Sequence, residues 1–529
     1  MKKIFISLLS VMALGLLTTT VSCSDGLEEL NQDPNRPEII NVPAYGLFNY
    51  TNKFIMDNTR SSFPSGRLAL PWVQYSAQVA YTEEDRFKFR IETKDDFYRD
   101  LNLAAKDYKT IIDINTNPVT AAKNSVYGNT NNQIAAARVM LAYTFSILVD
   151  TYGDVPYYSY GNNDPDFQAL QLDKGISEPK FASQAKIYTD ILKELKESVA
   201  MLVLNEKVFT KGDVLFGGDA NKLKKFANSL RLRIATRVNG VIPGAATHIT
   251  EAIDSGVMTS NSDNVGVKYE NNNVFPSPFF TGFFTDARSD FKITNTLVDL
   301  LKGKIGVFGI VDPRLQKYAS PNTAGLVAIR DKTYTETDDL TKYIGMPYGI
   351  PNSSVEAQTP NTSYWSSDVL RRDYTEILME YAEVEFLLSE NNGWSDTNYK
   401  NGIKASMERW GVASAKINTY LAAVAPANKE NVITQKYLAL FMQPGEAWAE
   451  YRRTGFPSSL LKPGQSYPLN VPEGSVTTYT FEALNNLTEM PTRLTYPTNA
   501  ANLNGANYDE AVKNMGGDKL DTKLIWDKN

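Results

Sequence analysis

Two side chains that dominate metal and acid–base sites are almost missing from this sequence. Its 529 residues contain one histidine, His248, and one cysteine, Cys23. No metal site built on histidine and cysteine ligands can form from these two, and a single cysteine excludes an internal disulfide. A Ser-His-Asp triad would depend on His248, and the sequence has no G-x-S-x-G serine to accompany it. A calcium site made of carboxylates stays open, because 60 Asp and Glu residues are available.

Long runs of one charge are also missing. The 54 Lys and Arg residues are scattered, and the formal net charge is -6. A nucleic-acid partner is therefore not expected, because phosphate binding needs clustered basic residues. The sequence has no Walker loop and no G-x-G-x-x-G motif. We expect no cofactor and no catalytic activity, although a carboxylate pair that hydrolyses glycosides follows no sequence spacing and stays an alternative.

The N-terminus has the pattern of an export signal. Two lysines follow Met1, and an apolar segment of signal-peptide length then runs to Leu17. This segment is too short for a membrane span. Small residues lead into Cys23, an arrangement that resembles the lipobox of bacterial lipoproteins, although Thr20 stands where that motif prefers leucine. The resemblance predicts a signal peptide over residues 1–22 and lipid attachment to Cys23; an ordinary signal with an incidental cysteine is the alternative.

Lipidation at Cys23 would hold the protein to a membrane that it does not span. Several acyl chains anchor a protein stably where a single chain does not. No later apolar run reaches about eighteen residues, so we expect no transmembrane helix. The segment 24–29, SDGLEE, is similar to the acidic export tag of surface-displayed lipoproteins in some Gram-negative bacteria. A solvated linker is the alternative interpretation of this segment.

Apolar residues recur at helical spacing along much of the chain. Tyr98, Leu101, Ala105, Tyr108 and Ile112, for example, lie three and four residues apart. Such stripes fall into sequential pairs, and paired helices in series predict a mostly α-helical scaffold of tetratricopeptide-like hairpins. The tetratricopeptide motif W-x2-L-G-x2-Y itself is absent. The predicted pairs are 97–115 with 131–150, 185–203 with 221–239, 375–390 with 398–411, and 431–442 with 445–453.

Two other parts of the chain show no sustained helical stripe. Residues 240–370 and 454–529 are rich in Asn, Ser, Thr, Gly and Pro, so we expect long loops and short strands there. The first of these parts is predicted to be a loop-rich insert, apart from a short stripe near Leu300. No linker-like run separates the halves of the chain. Residues 23–529 are therefore predicted to form one domain, with ligand binding on its loops.

Several long segments of the chain are characteristic of one protein family. They include LNQDPNRP at 30–37, KKFANSLRLRIATRV at 224–238, YAEVEFLLSE at 381–390, ITQKYLALFMQPGEAWAEYRRTGFP at 433–457 and MPTRLTYP at 490–497. These segments resemble the SusD/RagB family of nutrient-binding outer-membrane lipoproteins, in particular its second SusD-like subfamily. The resemblance spans nearly all of the chain after the export signal.

That resemblance implies a fold and a function. The implied fold is four tetratricopeptide-like hairpins packed against a loop-rich region with short strands. The implied protein is non-catalytic, anchored by lipid in the outer membrane and exposed at the cell surface. It would capture oligosaccharide and deliver it to a SusC-like TonB-dependent transporter. RagB-like members capture peptides, so the same lid architecture with a peptide or another non-sugar nutrient is the alternative.

The family resemblance falls on scaffold segments, so candidate ligand residues are inferred from the chemistry of sugars. Exposed aromatic rings stack on the apolar faces of sugars, and planar polar groups bind their hydroxyls. Two aromatic and polar stretches fit this chemistry, at 70–87 and near residue 365. The candidate residues are Trp72, Gln74, Tyr75, Gln78 and Tyr81 in the first stretch, and Tyr364, Trp365 and Asp368 in the second.

Each stretch also has a structural interpretation. Trp72, Tyr75 and Val79 have the spacing of a core helix. The loop near Trp365 could instead fold its aromatic rings onto the scaffold. A third stretch, FFTDARSDFK at 283–292, combines aromatic residues with alternating charges. We expect structural ion pairing in this third stretch rather than ligand binding.

Overall fold

A computed structural model describes residues 42–527 of the chain. The long helices are α1 Ala44–Thr59, α2 Ile91–Thr116, α3 Thr130–Tyr152, α4 Gln184–Ala200, α5 Ala220–Arg237, α6 Ala245–Ser255, α7 Tyr381–Asn391, α8 Asp396–Arg409, α9 Ser414–Ala423, α10 Lys429–Ala439, α11 Pro444–Thr454 and α12 Gly505–Met515. The strands are β1 Ser76–Gln78, β2 Val265–Lys268, β3 Phe291–Ile293, β4 Thr375–Met379, β5 Ser466–Glu473 and β6 Val476–Thr480.

Shorter helical turns lie between these elements. The short α-helices are Pro64–Arg67, Ala69–Trp72, Pro118–Asn124, Pro278–Phe280, Asn295–Leu301, Leu315–Tyr318, Leu326–Arg330, Asn352–Gln358 and Ala500–Leu503. The 3-10 turns are Ser125–Tyr127, Leu172–Lys174, Asn261–Asp263, Leu340–Lys342 and Thr359–Asn361. Thr281–Thr285 forms one π-helical turn.

The four predicted hairpins are confirmed. α2 packs against α3, α4 against α5, α7 against α8, and α10 against α11. Successive hairpins are also in contact, through α3 with α4, α5 with α7, and α7 with α10. Polar caps set where the helices begin: the Asn129 side chain accepts from the Asn132 amide at 3.1 Å, and Asp219 accepts from the Asn221 amide at 2.8 Å. The hairpins therefore follow one another in space as they do in sequence.

The third hairpin begins later in the chain than the sequence pattern predicts. Residues 375–379 form strand β4 rather than helix, and α7 starts at Tyr381. β4 pairs antiparallel with β2. Residues 376–379 are all buried, and this pairing supplies backbone hydrogen bonds that buried residues cannot make to water. The apolar residues of this segment thus belong to a buried strand, which periodicity alone does not distinguish from a short helix.

The structure also contains helices that the apolar pattern does not reveal. α1 precedes the first predicted hairpin, α6 lies within residues 240–370, and α12 lies within residues 454–529. The buried face of α1 includes the polar residues Thr51 and Asn52, which interrupt its apolar stripe. The side-chain oxygen of Asn52 has a partner inside the protein, because it accepts from the Tyr108 hydroxyl at 2.7 Å.

Strand pairing joins segments that are distant in sequence. β1 pairs antiparallel with β3, so that Gln78 lies opposite Phe291. The Val79 amide then donates to the Asp290 carbonyl at 2.7 Å. This two-stranded sheet holds the loop after β1 beside the loop before β3. From Ala44 onward the chain forms one compact unit, and the junction of these two loops carries the candidate site described below.

Buried arginines of α5 connect this helix to three others. Arg237 lies 2.5 Å from Asp150 on α3 and also pairs with Glu446 on α11. Arg233 donates to Glu383 on α7 at 2.7 Å and lies 3.6 Å from Glu446. Burial raises the pKa of Glu446, but attraction by Arg237 and Arg233 outweighs burial, so the pKa of this carboxyl is lowered. These ion pairs link one helix from each of the four hairpins.

Helix α3 is apolar enough to be compared with a membrane span. Among residues 42–527, it is the helix whose length and composition would suffice to cross a membrane. Its most apolar 18-residue window is 94% buried inside the protein. Since α3 packs against both α2 and α4, its apolar surface is covered by other helices, as in the core of a globular protein.

Replacing Arg237 with methionine should destabilise the protein strongly. The substitution keeps an unbranched apolar stem but leaves Asp150 and Glu446 buried without their guanidinium partner. Breaking a buried ion pair typically costs about 3–5 kcal/mol, so we expect the midpoint of urea unfolding to fall markedly. As a control, Arg330→Gln removes an exposed pair with Asp331 and should leave the midpoint unchanged. Equal midpoints for wild type and Arg237→Met would contradict a structural role for the ion pairs.

Candidate ligand-binding surface

Both tryptophans predicted to stack on ligand lie in the hydrophobic core. Trp72 and Trp365 are each 0% exposed. Trp72 packs edge-on against Trp448 with ring centroids 5.0 Å apart, and Trp365 lies parallel to Phe291 at 6.3 Å. The indole nitrogen of Trp365 donates to the Tyr75 carbonyl at 3.4 Å. A ring enclosed by other side chains cannot stack on a sugar, so the expectation of exposed stacking faces is wrong for both residues.

Gln74, Tyr75 and Gln78 are buried as well. The side-chain nitrogen of Gln74 donates to the Leu461 carbonyl at 2.8 Å, and its side-chain oxygen accepts from the Leu461 backbone N–H at 3.0 Å. The Tyr75 hydroxyl donates to the Tyr437 carbonyl at 2.5 Å. The Gln78 side-chain amide donates to the Glu84 carboxylate, in the loop that follows β1. These three side chains make hydrogen bonds inside the protein, and the expectation that they face ligand is wrong.

Tyr364 and Asp368 are half-buried, and each is engaged by a lysine. The Lys292 ammonium lies 4.0 Å from the centroid of the Tyr364 ring and donates to the Thr362 carbonyl at 2.8 Å. Burial lowers the pKa of Lys292 to about 8. Asp368 lies 3.6 Å from the Lys317 ammonium. A role for Tyr364 and Asp368 in ligand binding stays a prediction.

Tyr81 is the predicted aromatic residue that faces solvent. It is 40% exposed and has a left-handed backbone, with φ of 59°, which is uncommon for a residue other than glycine. The loop around it is held from outside by Asn352. The Asn352 side chain accepts from the Thr82 amide at 3.2 Å and donates to the Glu83 carboxylate at 3.0 Å. The exposed ring is therefore presented by a restrained loop.

Two arginines from different loops lie against the ring of Tyr81. The guanidinium carbon of Arg90 is 4.4 Å from the ring centroid, and that of Arg288 is 5.5 Å away. The guanidinium carbon of Arg67 lies 4.6 Å from the ring centroid of Phe63, which is 46% exposed. Cation–π contacts of this kind favour defined ring orientations. We call these five residues, Phe63, Arg67, Tyr81, Arg90 and Arg288, the aromatic–arginine surface.

Close contacts at two glycines hold together the segments that form this surface. A Cβ atom at Gly66 would lie 2.8 Å from the ring of Phe291, and one at Gly282 would lie 2.8 Å from the Ser62 hydroxyl. The Arg288 amide donates to the Gly282 carbonyl at 2.8 Å. A larger residue at either position would force its neighbour to shift, because the segments approach so closely. Phe63 and its neighbours are thereby pressed against the loop that carries Arg288.

Strained backbone occurs in the loop after β1 and in the loop before β3. Tyr81, Phe87 and Ala287 all have φ between 53° and 69°, although none of them is glycine. Such conformations cost on the order of 1 kcal/mol or more each and cluster at functional sites. The π-helical turn Thr281–Thr285 lies in the second loop, and turns of this kind are frequent at functional sites. Strained backbone is therefore a second feature of these loops, in addition to their exposed rings, that is typical of functional sites.

Two acidic groups of the loop, Glu84 and Asp85, are buried. The buried Glu84 carboxylate lies 3.6 Å from Nε of Arg90 and 3.8 Å from Nε of Arg67, and it accepts from the Gln78 amide at 2.5 Å. Burial raises the pKa of Glu84 in spite of these partners. Burial also raises the pKa of Asp85 well above its usual range. Positive groups are thus nearer to solvent than these two carboxylates.

Sequence reasoning missed Phe63 and Arg90 and gave Arg288 a purely structural role. The expected ion pair is present, with Nε of Arg288 3.2 Å from Asp290, but the same guanidinium also lies against Tyr81. Phe63 opens the sequence FPSGR, whose proline and glycine are turn signals and would have favoured an exposed position. No local signal could join Arg90 to Tyr81, because their contact depends on how the loop between them folds.

Two cavities are alternatives to this surface. A narrow cavity of about 80 Å³ between α3 and α11 is lined by charged groups that include Asp150 and Glu446. A volume of this size accommodates a few water molecules rather than an oligosaccharide. An open cleft of about 1020 Å³ has two aromatic residues in its lining, Tyr343 and Tyr467. Tyr343 is buried, and the Tyr467 hydroxyl donates to the Tyr348 carbonyl at 2.5 Å, so this cleft offers a poorer stacking surface.

A metal site or an acid–base site would be another alternative to a binding surface. Within residues 42–527, no group of three or more His, Cys, Asp or Glu side chains is placed to hold a metal ion. The imidazole Nδ1 of His248 accepts from Nε of Arg231 at 2.7 Å. Burial, together with repulsion by Arg231, lowers the pKa of His248 to about 4. This imidazole is therefore uncharged at neutral pH, and its hydrogen bond joins α6 to α5.

The chain matches one family model over residues 34–497. That model is the second SusD-like model, described as starch-binding and associating with the outer membrane. Since the match covers most of the chain, the protein belongs to this SusD-like family, and the family predicted from sequence is confirmed. It is thus a member of a family of carbohydrate-binding proteins associated with the outer membrane.

Solved structures share the fold. A chitin-binding protein is 26% identical with a TM-score of 0.72, and the alignment covers 92% of this chain and 100% of that chain. A Bacteroidetes SusD-like protein, AC2a, is 22% identical with a TM-score of 0.71, covering 92% and 100%. A SusD homolog from Parabacteroides distasonis is 19% identical with a TM-score of 0.71, covering 92% and 98%. A search of curated proteins found no match.

Alanine substitutions at Trp365 and Tyr81 should differ sharply in their effect on stability. Trp365→Ala removes a ring packed between Phe279, Phe283 and Phe291, and such core truncations cost about 3–5 kcal/mol. Tyr81→Ala removes an exposed ring and should cost less than about 1 kcal/mol. Urea unfolding of the two variants measures the difference. A Trp365→Ala protein as stable as Tyr81→Ala would contradict the buried position of the indole.

Proposed function

We propose that the protein captures an oligosaccharide at the aromatic–arginine surface and delivers it unchanged to a SusC-like TonB-dependent transporter. The observation that carries this proposal is the pair of exposed rings, Phe63 and Tyr81, on a SusD-like fold, with Tyr81 in a strained backbone conformation. Aromatic rings stack on the apolar faces of sugars. The guanidiniums beside the rings supply planar N–H donors for sugar oxygens.

The relatives support a carbohydrate as the cargo. The family model is described as starch-binding, and the relative with 26% identity is a chitin-binding protein. Both descriptions name polysaccharides. We therefore favour an oligosaccharide over a peptide, which is the cargo of RagB-like proteins and remains an outcome of the binding test below.

The groups near the surface favour binding over catalysis. A general acid or base must come within hydrogen-bond reach of its substrate, whereas the side chain of Glu84 is 3% exposed. The guanidiniums of Arg90 and Arg288 offer hydrogen-bond donors and no acceptor atom. His248 is bonded to Arg231 between two scaffold helices. We propose that the ligand is held and passed on without cleavage.

Lipid attachment at Cys23 would keep the protein beside its transporter. Cys23 lies outside the described residues, so this step of the proposal is supported by the sequence pattern and by the family's association with the outer membrane. α1 begins at Ala44. The intervening stretch of about twenty residues could reach at most about 70 Å if fully extended. An anchor at this distance would restrict the protein to the outer membrane while leaving room for a lid movement at the cell surface.

The first test is an array of oligosaccharides and peptides probed with the mature protein, followed by calorimetry on each binder. We expect binding to one class of oligosaccharide and about fivefold or greater loss of affinity in Tyr81→Ala, because an aromatic stacking contact contributes about 1 kcal/mol. Tyr50→Ala is the matched control, since Tyr50 is an exposed tyrosine on α1, and should bind as wild type does.

Other outcomes of this test would redirect the proposal. Loss of affinity in Tyr364→Ala but not in Tyr81→Ala would move the site to the second predicted stretch. Binding to peptides without binding to any sugar would contradict an oligosaccharide cargo.

The anchor is tested by Cys23→Ala. Without a thiol the lipid cannot be attached, so we expect this variant to leave the outer-membrane fraction in cells that lack the transporter. Ser24→Ala changes the next residue, keeps the thiol and should stay in that fraction. A Cys23→Ala protein that remains with the outer membrane in those cells would show that another contact anchors it.

A further inference from the structure

Three guanidiniums are gathered at the aromatic–arginine surface. The chain has a net charge of -6, yet Arg67, Arg90 and Arg288 meet at this one place. The side chains of Arg90 and Arg288 are 43% and 34% exposed. Both lie against the same exposed ring, that of Tyr81. Two solvent-accessible guanidiniums and one aromatic ring are therefore presented together.

Four carboxylates lie near these arginines, and they differ in burial and in the groups that they bind. Glu84 is buried and lies 3.6 Å from Nε of Arg90, beyond a good hydrogen bond. Asp290 pairs with Arg288 at 3.2 Å. Glu83 accepts from Asn352 at 3.0 Å, and Asp286 is exposed in the loop before Arg288. The carboxylate nearest to Arg90 thus lies below the surface, while the guanidinium itself reaches solvent.

The arginines also act on one another. Burial lowers the pKa of Arg67, attraction by Glu84 opposes that change, and repulsion by Arg90 and Arg288 adds to it. An anion placed here would attract all three guanidiniums and offset their mutual repulsion. Arginine binds carboxylates and related oxyanions through a planar fork of two N–H groups, which lysine cannot reproduce.

We propose that the captured oligosaccharide is acidic, and that Arg90 and Arg288 bind a carboxylate or sulfate group of a sugar whose ring stacks on Tyr81. This inference rests on the proposed function and specifies the ligand class of the same surface. Uronic acids, sialic acids and sulfated sugars share the required chemistry, an oxyanion attached to a sugar ring with an apolar face.

The test compares charged and neutral sugars of matched length on the mature protein. Calorimetry uses a panel of uronic-acid, sialylated and sulfated oligosaccharides, the methyl esters of the uronic-acid members, and neutral oligosaccharides. We expect at least tenfold tighter binding of an acidic member than of its neutral counterpart. We also expect this affinity to fall as sodium chloride rises from 50 to 500 mM, because salt screens exposed charges. Whether carboxylated or sulfated members bind more tightly identifies the oxyanion.

Variants assign the effect to the two arginines. Arg90→Gln and Arg288→Gln should each weaken the acidic ligand at least tenfold, while Arg288→Lys, which keeps the charge but not the fork, should lose less. Asp286→Asn should tighten binding, because it removes a like charge beside the ligand. Lys400→Gln on α8, where Lys400 pairs with Asp396 at 3.0 Å, is the control and should bind as wild type does.

The possible results separate this inference from the proposed function. Binding of neutral oligosaccharides alone would overturn the acidic ligand and leave the oligosaccharide cargo intact. Absence of binding to any sugar would count against the proposed function, and with it against this inference. Equal losses of acidic and neutral ligand in Arg288→Gln, with thermal unfolding unchanged, would show that this arginine does not recognise the anion and would also overturn the inference.

Discussion

The buried ion pairs of α5 are the constraint on which the helical array depends. A charge removed from water is costly unless it is paired, so Arg237 requires Asp150 and Glu446, and Arg233 requires Glu383. These partners lie on α3, α11 and α7, in three different hairpins. Apolar packing alone would tolerate small rotations of one hairpin against the next, whereas charge pairing restricts their register. The loops of the candidate site are therefore attached to a scaffold whose parts have little freedom to shift.

The candidate surface is a product of this rigidity. The β1–β3 pairing brings two loops together, Asn352 holds the first loop through Thr82, and the close approach of Gly282 to Ser62 brings the Phe63 segment against the second. Strained backbone conformations persist because the surrounding contacts overdetermine them. A surface assembled before ligand arrives loses less entropy on binding than one that must first be ordered. This is the behaviour required of a protein that captures a dilute nutrient.

The predictions that succeeded are those that depend on neighbours in sequence. Helical stripes predicted the four hairpins because residues three and four apart lie on one face of a helix. The stripe of α1 is interrupted by Thr51 and Asn52, whose partners lie within the fold, and sequence alone could not show that they are buried. β4 was assigned to a helix because a short apolar segment fits both periods. Its pairing with β2, more than a hundred residues away, decides between them.

By itself, the sequence determined the family, the hairpin series and the lack of histidine and cysteine chemistry, because these follow from residue order and local periodicity. Only the tertiary structure decided which aromatic rings meet solvent. Trp72 and Tyr81 come from one stretch with the same apparent chemistry, but Trp448 of α11 covers the first, and the turn after β1 exposes the second. The tertiary structure likewise brought Arg90 and Arg288 to one ring. Exposure and proximity of charge are properties of residues distant along the chain, and folding alone sets them.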